Sequence, residues 1–373
     1  MTAGVVLATV LSTMAQLEVR PGVVAPEGRV TDVSIEGVTV GDRVIAWDRV
    51  RSVGGEFGAR AEAFRPVADA AWRARSRLER GDLGGAEVLL ERFASFYAGR
   101  RGPTAAMFAE GLVRVRLAHG AVSAAVPAWL AWLACDTPPV GSMITLGTLP
   151  TADRDALPWL GLDETTGLVH TLPPMWLPVP SSQAIATLEV PPSVDGIESP
   201  RSIAAGRLAA LYRCAVRYEL GLPFTLPTDG NDSPAVAIVR EIVVARVGES
   251  AERAAARDAL SARLNGASEP WLEAWLHAAI GRSLAREDDA ELKRLAVVEL
   301  LTVPARFENE IPYLTGLALA EGAVAARAIG DREGADRLIE QLVAGYPGHP
   351  ATGWSPIRLW SAATPKPVPQ PKP

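Results

Sequence analysis

Two stretches far apart in the chain carry the same pattern of residues. The later one reads Gly330-Asp331-Arg332-Glu333-Gly334-Ala335-Asp336-Arg337-Leu338-Ile339, and the earlier one reads Gly81-Asp82-Leu83-Gly84-Gly85-Ala86-Glu87-Val88-Leu89-Leu90. At one constant offset the two copies share the residues Gly81/Gly330, Asp82/Asp331, Gly85/Gly334, Ala86/Ala335, Leu89/Leu338, Glu91/Glu340 and Tyr97/Tyr346. The chain therefore contains two copies of one structural unit.

Each copy has the pattern of a helix–turn–helix unit. The glycine can end the first helix in the left-handed conformation, and the aspartate after it can cap the second helix. In the later copy the apolar and small residues that follow lie at helical spacing, namely Ala335, Leu338, Ile339, Leu342 and Tyr346. Pro347 comes directly after this stripe and is expected to end the helix.

This unit resembles the repeat of the tetratricopeptide family, which is about 34 residues of paired helices. The match lies in the small residue of the second helix (Ala86, Ala335) and in the closing Pro347, while the aromatic and Leu-Gly positions of the family's first helix are not matched. The ending Tyr346-Pro347-Gly348-His349-Pro350 is similar to that of repeats in bacterial envelope proteins of this family. The resemblance implies a mainly α fold in which helix pairs form a solenoid, and a peptide or another protein as the partner.

The N-terminal part differs from the repeats. Residues 1–15 are apolar or small and uncharged after the initiator, which predicts a signal peptide cleaved after Ala15 and a periplasmic or secreted protein. Residues 16–56 alternate β-branched and polar residues between glycine turns, which predicts a small β-hairpin unit. Trp47 is expected to fill the core of that unit.

Helical patterns occupy residues 57–135 and 201–350. We predict helices at 59–80, 83–99, 103–119, 121–134, 201–220, 233–247, 250–265, 269–285, 288–303, 311–329 and 331–345. Gly120, Ala125, Trp129 and Trp132 suggest a degenerate further copy of the unit, in which Pro127 predicts a kink or a late helix start. Residues 351–373 end in alternating prolines and are predicted to form a flexible, extended tail.

The stretch 136–200 interrupts the helical pattern with eleven prolines, and we predict an ordered but irregular insert with a hairpin near Glu164 to Gly167. It carries Trp159 and Trp176, which must be covered by other residues. Residues 120–200 hold one arginine and eight acids, whereas residues 51–119 hold twelve arginines and eight acids. We therefore expect the insert to pack on the helices, with its acids near arginines of the earlier stretch: Arg73, Arg77, Arg80, Arg114 and Arg116.

Composition limits the classes of partner. The formal net charge of −6 argues against nucleic acid. No stretch is long and apolar enough for a stable membrane anchor, since residues 3–15 are too short to span a bilayer. The basic residues comprise 34 arginines and only three lysines, which we attribute to a GC-rich genome.

No motif names a reaction, and we assign no catalytic, cofactor or metal residues and no cofactor. The chain has no glycine-rich phosphate loop, no nucleophile elbow and no metalloprotease helix. The four histidines, His119, His170, His277 and His349, show no ligand spacing. Asp229-Gly230-Asn231-Asp232 is read as a turn rather than a cation loop, and Cys135 and Cys214 as buried thiols, with a disulfide as the alternative.

Three functions remain open from sequence. The leading one is an exported, non-enzymatic helical-repeat protein that binds a protein or peptide in the cell envelope. The second is a hydrolase whose site uses carboxylates of the insert: Asp153, Asp155, Asp163 and Glu164. The third is a structural subunit of an envelope assembly, with the β unit as its docking module.

Overall fold

A computed structural model describes residues 16–135, 168–193, 196, 198–228, 230 and 232–363. This part of the chain is mainly helical, as predicted. Its helices are Gly58–Glu62 (α1), Arg65–Glu79 (α2), Leu83–Ala94 (α3), Pro103–Ala118 (α4), Val122–Leu133 (α5), Gln183–Ala186 (α6), Pro200–Glu219 (α7), Pro234–Val247 (α8), Ser250–Leu264 (α9), Pro270–Leu284 (α10), Ala290–Phe307 (α11), Pro312–Ala328 (α12), Arg332–Gly345 (α13) and Ser355–Ala363 (α14).

The predicted β-hairpin region is present. Its strands are Leu17–Val19 (β1), Val30–Ser34 (β2), Gly37–Val40 (β3), Arg43–Ile45 (β4) and Val50–Val53 (β5). Strands β2, β3 and β4 form one antiparallel sheet in that order, and β1 pairs with β5. Gly37 begins β3 at φ +138°, and a Cβ there would lie 2.0 Å from the carbonyl oxygen of Ile45, so only glycine allows this approach of β3 to β4.

The β unit is packed onto the first helices through polar groups of its main chain. Trp47 is buried, as predicted, and its indole nitrogen donates to the Ser34 carbonyl at 3.1 Å. Thr104 of α4 donates its hydroxyl to the Glu36 carbonyl at 2.8 Å and accepts the Trp47 N–H at 3.0 Å. Asp48, which is 2% exposed, pairs with Arg75 of α2. These contacts tie the sheet to both α2 and α4.

The two repeat copies have the same turn geometry. Gly81 and Gly330 adopt positive φ angles of 72° and 89°, and in each the next residue's N–H bonds back to a carbonyl of the preceding helix at 2.9 Å. The capping carboxylates then accept the N–H of the glycine three residues on, at 3.1 Å in Asp82 and 2.8 Å in Asp331. A Cβ on that glycine would collide with the carboxylate, which explains why glycine recurs there.

Ala86 and Ala335 are both fully buried, which confirms the predicted close approach of the paired helices. Replacing Ala335 with leucine is expected to lower the free energy of unfolding by about 1–3 kcal/mol, because the added atoms have no space at the contact between α12 and α13. Thermal unfolding measures this difference. Ala344→Leu is the matched control, since Ala344 is exposed on the same helix. Equal melting temperatures for the two variants would contradict the assignment.

Helices pack in order along the chain and also on their second neighbours. Each of α10, α11, α12 and α13 contacts the next, α8 also contacts α10, and α10 also contacts α12. Earlier in the chain α2 contacts both α3 and α4. Helices α8, α10 and α12 therefore lie side by side and together present one face.

Several predicted helix limits are corrected. The helix predicted at 59–80 is split into α1 and α2, since Pro66 has no N–H to continue the bonding from α1. Helix α3 ends at Ala94 instead of 99, and α11 continues through Pro304 to Phe307, which is buried. Helix α5 begins at Val122 and contains Pro127, so the late start is wrong. At these places tertiary burial outweighs local propensity.

The tail begins later than predicted. Residues Pro350–Gly353 form a 3₁₀ turn and α14 follows it, with Ile357 fully buried and Trp360 beneath the Arg327 guanidinium at 4.3 Å. Residues 364–373 lie outside the described residues, as does the predicted signal peptide. Among the described helices, none combines the length and apolar character that crossing a membrane requires.

Candidate functional site

The helices hold an extended stretch of the same chain by its carbonyl groups. This proline-rich segment, residues 168–193, is the described part of the predicted insert. Six side chains donate to it in chain order: Trp275 to His170 O (2.9 Å), Tyr212 to Leu172 O, Tyr313 to Met175 O (3.1 Å), Arg282 to Trp176 O (2.7 Å), Arg213 to Leu188 O (2.7 Å) and Arg101 to Pro191 O. Five of these donors stand on α7, α10 and α12.

Proline suits this arrangement for a physical reason. A buried main chain must satisfy its carbonyl and N–H groups, and proline has no N–H. The segment contains Pro173, Pro174, Pro178, Pro180, Pro191 and Pro192. A scaffold that offers only donors, such as tyrosine, tryptophan and arginine side chains, can therefore satisfy it.

Trp176 is the apolar anchor of the segment. Its side chain is fully buried, with ring centroids 6.1 Å from Tyr212 and 5.7 Å from Tyr313. Leu172 and Leu177 beside it are also buried. The predicted packing of the insert on the helices is confirmed for these residues. The groove, defined as the face of α7, α10 and α12 that contacts the segment, thus combines carbonyl recognition with one large aromatic pocket.

The predicted electrostatic partners of the insert are wrong for the acid that can be placed. Glu189 lies 3.7 Å from Arg213 of α7, not beside the arginines of residues 73–116. Arg77 pairs instead with Asp82, and Arg116 with Glu91. The physical reason is that the tryptophan pocket sets where the segment docks, and exposed charges then find local partners.

Four buried charged side chains support the groove from below. Arg282 contacts Glu219 at 2.9 Å and Glu321 at 2.8 Å. Arg246 contacts Glu219 at 2.7 Å and lies 3.5 Å from Glu321. These residues come from α7, α8, α10 and α12, and their side chains are 3–17% exposed. Because Arg282 also donates to Trp176 O, this four-residue ion network connects the segment to four helices.

The network is charge-balanced, with two guanidiniums and two carboxylates. Burial would raise the pKa of Glu219, but Arg246 and Arg282 outweigh burial and hold that pKa below its ordinary value. Burial would likewise lower the pKa of Arg246, but Glu219 and Glu321 raise it. All four groups are therefore charged at neutral pH, and each depends on the others to remain so.

The sequence candidates for chemistry are not brought together. Asp153, Asp155, Asp163 and Glu164 lie outside the described residues, together with Trp159 and the predicted hairpin. Cys135 and Cys214 are buried free thiols, as predicted, and burial raises the pKa of Cys214 to about 11. Within the described ranges, no group of three His, Cys, Asp or Glu side chains could hold a metal ion.

The histidines have structural contacts. His277 bonds Glu299 at 2.7 Å, and His119 lies 3.6 Å from Glu87. His349 lies between the Tyr313 carbonyl and the Ala351 N–H, and burial lowers its pKa to about 4. Its ring occupies the place where a side chain on Gly316 would lie. His170 contributes its carbonyl to the groove and stacks its ring toward Trp271 at 6.4 Å.

Asp232, in the stretch read as a turn or cation loop, has basic partners. Its carboxylate is 8% exposed and bonds Arg207 at 2.8 Å and Arg240 at 2.7 Å. Gly230 is described as well, whereas Asp229 and Asn231 lie outside the described residues. The role observed for Asp232 is to join α7 to α8.

Comparison of the chain with family models, curated proteins and solved structures found no match. The groove is therefore interpreted from its own geometry.

The groove residues were missed by sequence reasoning, although a signal for them exists. Glu321 is the single charge in the run from Leu317 to Ala326, and Arg282 follows the apolar run from Ala278 to Gly281. A charge on an otherwise apolar helix face must find a partner when it is buried. That argument identifies the two residues, but it does not pair them, because they lie on different helices.

Proposed function

We propose that this protein is a non-enzymatic helical-repeat protein, tetratricopeptide-like in its hairpins, that binds an extended, proline-rich polypeptide segment in the groove. The observation that carries the proposal is the row of side-chain donors aimed at successive carbonyls of residues 168–193. Carbonyls are common to all polypeptides, so this row accepts main chain of many sequences. The Trp176 pocket supplies selectivity for a large aromatic residue.

In the observed state the groove is filled by the protein's own segment. A partner segment of the same character then competes with residues 168–193 for the same donors. This modifies the expectation from repeat architecture, because the binding face is not an empty concave surface. Binding in trans requires the internal segment to leave at least its Trp176 pocket.

A direct test uses a labelled synthetic peptide with the sequence of residues 168–193. The receptor is full-length protein carrying Trp176→Leu, which weakens the internal segment while keeping an apolar side chain in the pocket. We expect this variant to bind the peptide and to reject a scrambled peptide of the same composition, with weaker binding to the unaltered protein. Fluorescence anisotropy measures the affinity, and circular dichroism confirms the fold. A folded variant that binds neither peptide contradicts the proposal.

A groove donor provides the specificity control. Tyr313→Phe removes the hydroxyl that bonds Met175 O and is expected to weaken peptide binding about fivefold, which corresponds to about 1 kcal/mol for one hydrogen bond. Tyr346→Phe removes a hydroxyl that bonds Glu308 outside the groove and is expected to leave the affinity unchanged. An equal loss in both variants would contradict the assignment of the groove as the peptide site.

We further propose export, on the apolar and small residues Ala3 to Ala15. The expected mature chain begins at Gln16. Intact-mass spectrometry of protein purified from its native cells tests this. Retention of Met1 or Thr2 in the native protein would contradict export by a cleaved signal, and it would leave the groove proposal unaffected.

A further inference from the structure

A cleft of about 450 Å³ opens beside the point where the proline-rich segment leaves the groove. Its walls are residues 190–193 of the segment, α7 from Ser202 to Ala210, the loop from Pro227 to Gly230, and Arg101 before α4. A volume of this size is in the range of small-molecule sites. The cleft is separate from the Trp176 pocket and from the four-residue ion network.

Arg101 differs from the other buried arginines that line or support these sites. Arg282 is paired with Glu219, Arg253 with Glu287, and Arg240 with Asp232. Arg101 is only 9% exposed, yet within the described chain its guanidinium forms no ion pair with an acidic side chain. Its hydrogen bonds go to the carbonyls of Arg100 and Pro191, and its Nε finds no acceptor.

An arginine stays protonated in proteins, so burial cannot remove this charge. A buried charge without a counter-charge is unfavourable, and elsewhere in this protein a carboxylate fills that role. We propose that the cleft binds an organic carboxylate, whose negative charge is the missing partner of Arg101. Recognition of a planar carboxylate by a guanidinium is the geometry that arginine favours.

The remaining walls of the cleft restrict the ligand. Pro191, Ile203, Ala210 and Pro227 offer apolar surface for a hydrocarbon portion. Arg207 and Arg240 form the side opposite the segment, where both contact Asp232. Glu198 is exposed at the lining and opposes an anion there, so the carboxylate belongs at the Arg101 end. The ligand is thus a carboxylate with an apolar body.

Two sources provide such a group: a free organic acid and the C-terminus of a polypeptide. Isothermal titration calorimetry of the full chain separates them with three probes, namely hexanoate, a short acetylated peptide ending in leucine with a free carboxylate, and the same peptide amidated. Binding of hexanoate indicates a free acid. Binding of the free-carboxylate peptide without binding of hexanoate indicates a chain terminus. Absence of binding by both, or equal binding of the amidated peptide, overturns the proposal.

The variants test the role of Arg101 itself. Arg101→Met is expected to weaken binding of the preferred probe by at least about tenfold, because the charge-assisted pair is lost. Arg101→Lys keeps the charge without the planar fork, and we expect an intermediate loss; it also serves if the methionine variant does not fold. Arg100→Met is the matched control and is expected to bind as the unaltered protein does. Unchanged affinity in a folded Arg101→Met protein overturns the assignment.

This inference is separable from the groove proposal. Binding of the residue 168–193 peptide to the Trp176→Leu variant reports on the groove, whereas hexanoate and the terminal carboxylate report on the cleft. Either result can be negative while the other is positive.

Discussion

Replacing Arg282 with methionine is expected to lower the free energy of unfolding by about 3–5 kcal/mol, because it leaves two buried carboxylates with one guanidinium. Glu219 and Glu321 have side chains 8% and 5% exposed, so water cannot replace the lost partner. The change also removes the donor to Trp176 O. Denaturant unfolding measures the loss.

The matched control for this variant is Arg294→Met on α11. Arg294 pairs with Glu291, but both side chains are more than half exposed, at 56% and 76%, and such pairs contribute about 0–1 kcal/mol. A second substitution provides a reversal. Glu321→Gln added to Arg282→Met removes the uncompensated negative charge, and the double variant is expected to be more stable than Arg282→Met alone. A double variant that is less stable would show that packing, not charge, causes the loss.

The same variant has an expected pH dependence. In the unaltered protein the pKa of Glu219 is held below its ordinary value, so its contribution to stability is present at neutral pH and is lost as pH falls. Without Arg282, a glutamate lacking a full partner favours protonation, so acid relieves the variant. The stability difference between the two proteins is therefore expected to shrink between pH 7 and pH 4. A difference that is constant over this range would contradict the electrostatic explanation.

Replacing Trp176 with alanine is expected to cost about 3–5 kcal/mol, as for other large buried aromatic residues. The ring is fully buried against Tyr212 and Tyr313, and the alanine would leave a cavity that the rigid helices cannot close. Thermal unfolding gives the stability. Phe96→Ala is the control, because Phe96 is 48% exposed, and we expect it to change stability much less.

Trp176→Ala should also release the proline-rich segment. Limited digestion with a protease of broad specificity is expected to cut residues 168–193 faster in the variant, while the helices on either side remain intact. The segment contains no lysine or arginine, so trypsin is unsuitable. A variant that loses stability but retains the original cleavage pattern would show that Trp176 fills the core without holding the segment in place.

The helical hairpins were predictable because their signals are local. Gly330 and Asp331 specify a left-handed turn and a cap within a few residues, and the structure has both. The burial of Ala335 and the hairpins of the β unit follow from patterns of the same short range. The limits of α1, α11 and α14 were not predictable in this way, because residues far along the chain bury parts of them and outweigh the local effect of a proline.

By itself, the sequence determined the helix pairs, the β-hairpins and the need of Trp176 for cover. It also showed the excess of charge on otherwise apolar helices at Arg282 and Glu321. Only the tertiary structure decided which groups meet: that Arg282 faces two glutamates from different helices, that the segment's carbonyls meet tyrosine, tryptophan and arginine donors, and that Arg101 has no carboxylate partner among the described residues. The physical reason is that pairing depends on distances between residues remote in sequence, and the packing of whole helices sets those distances.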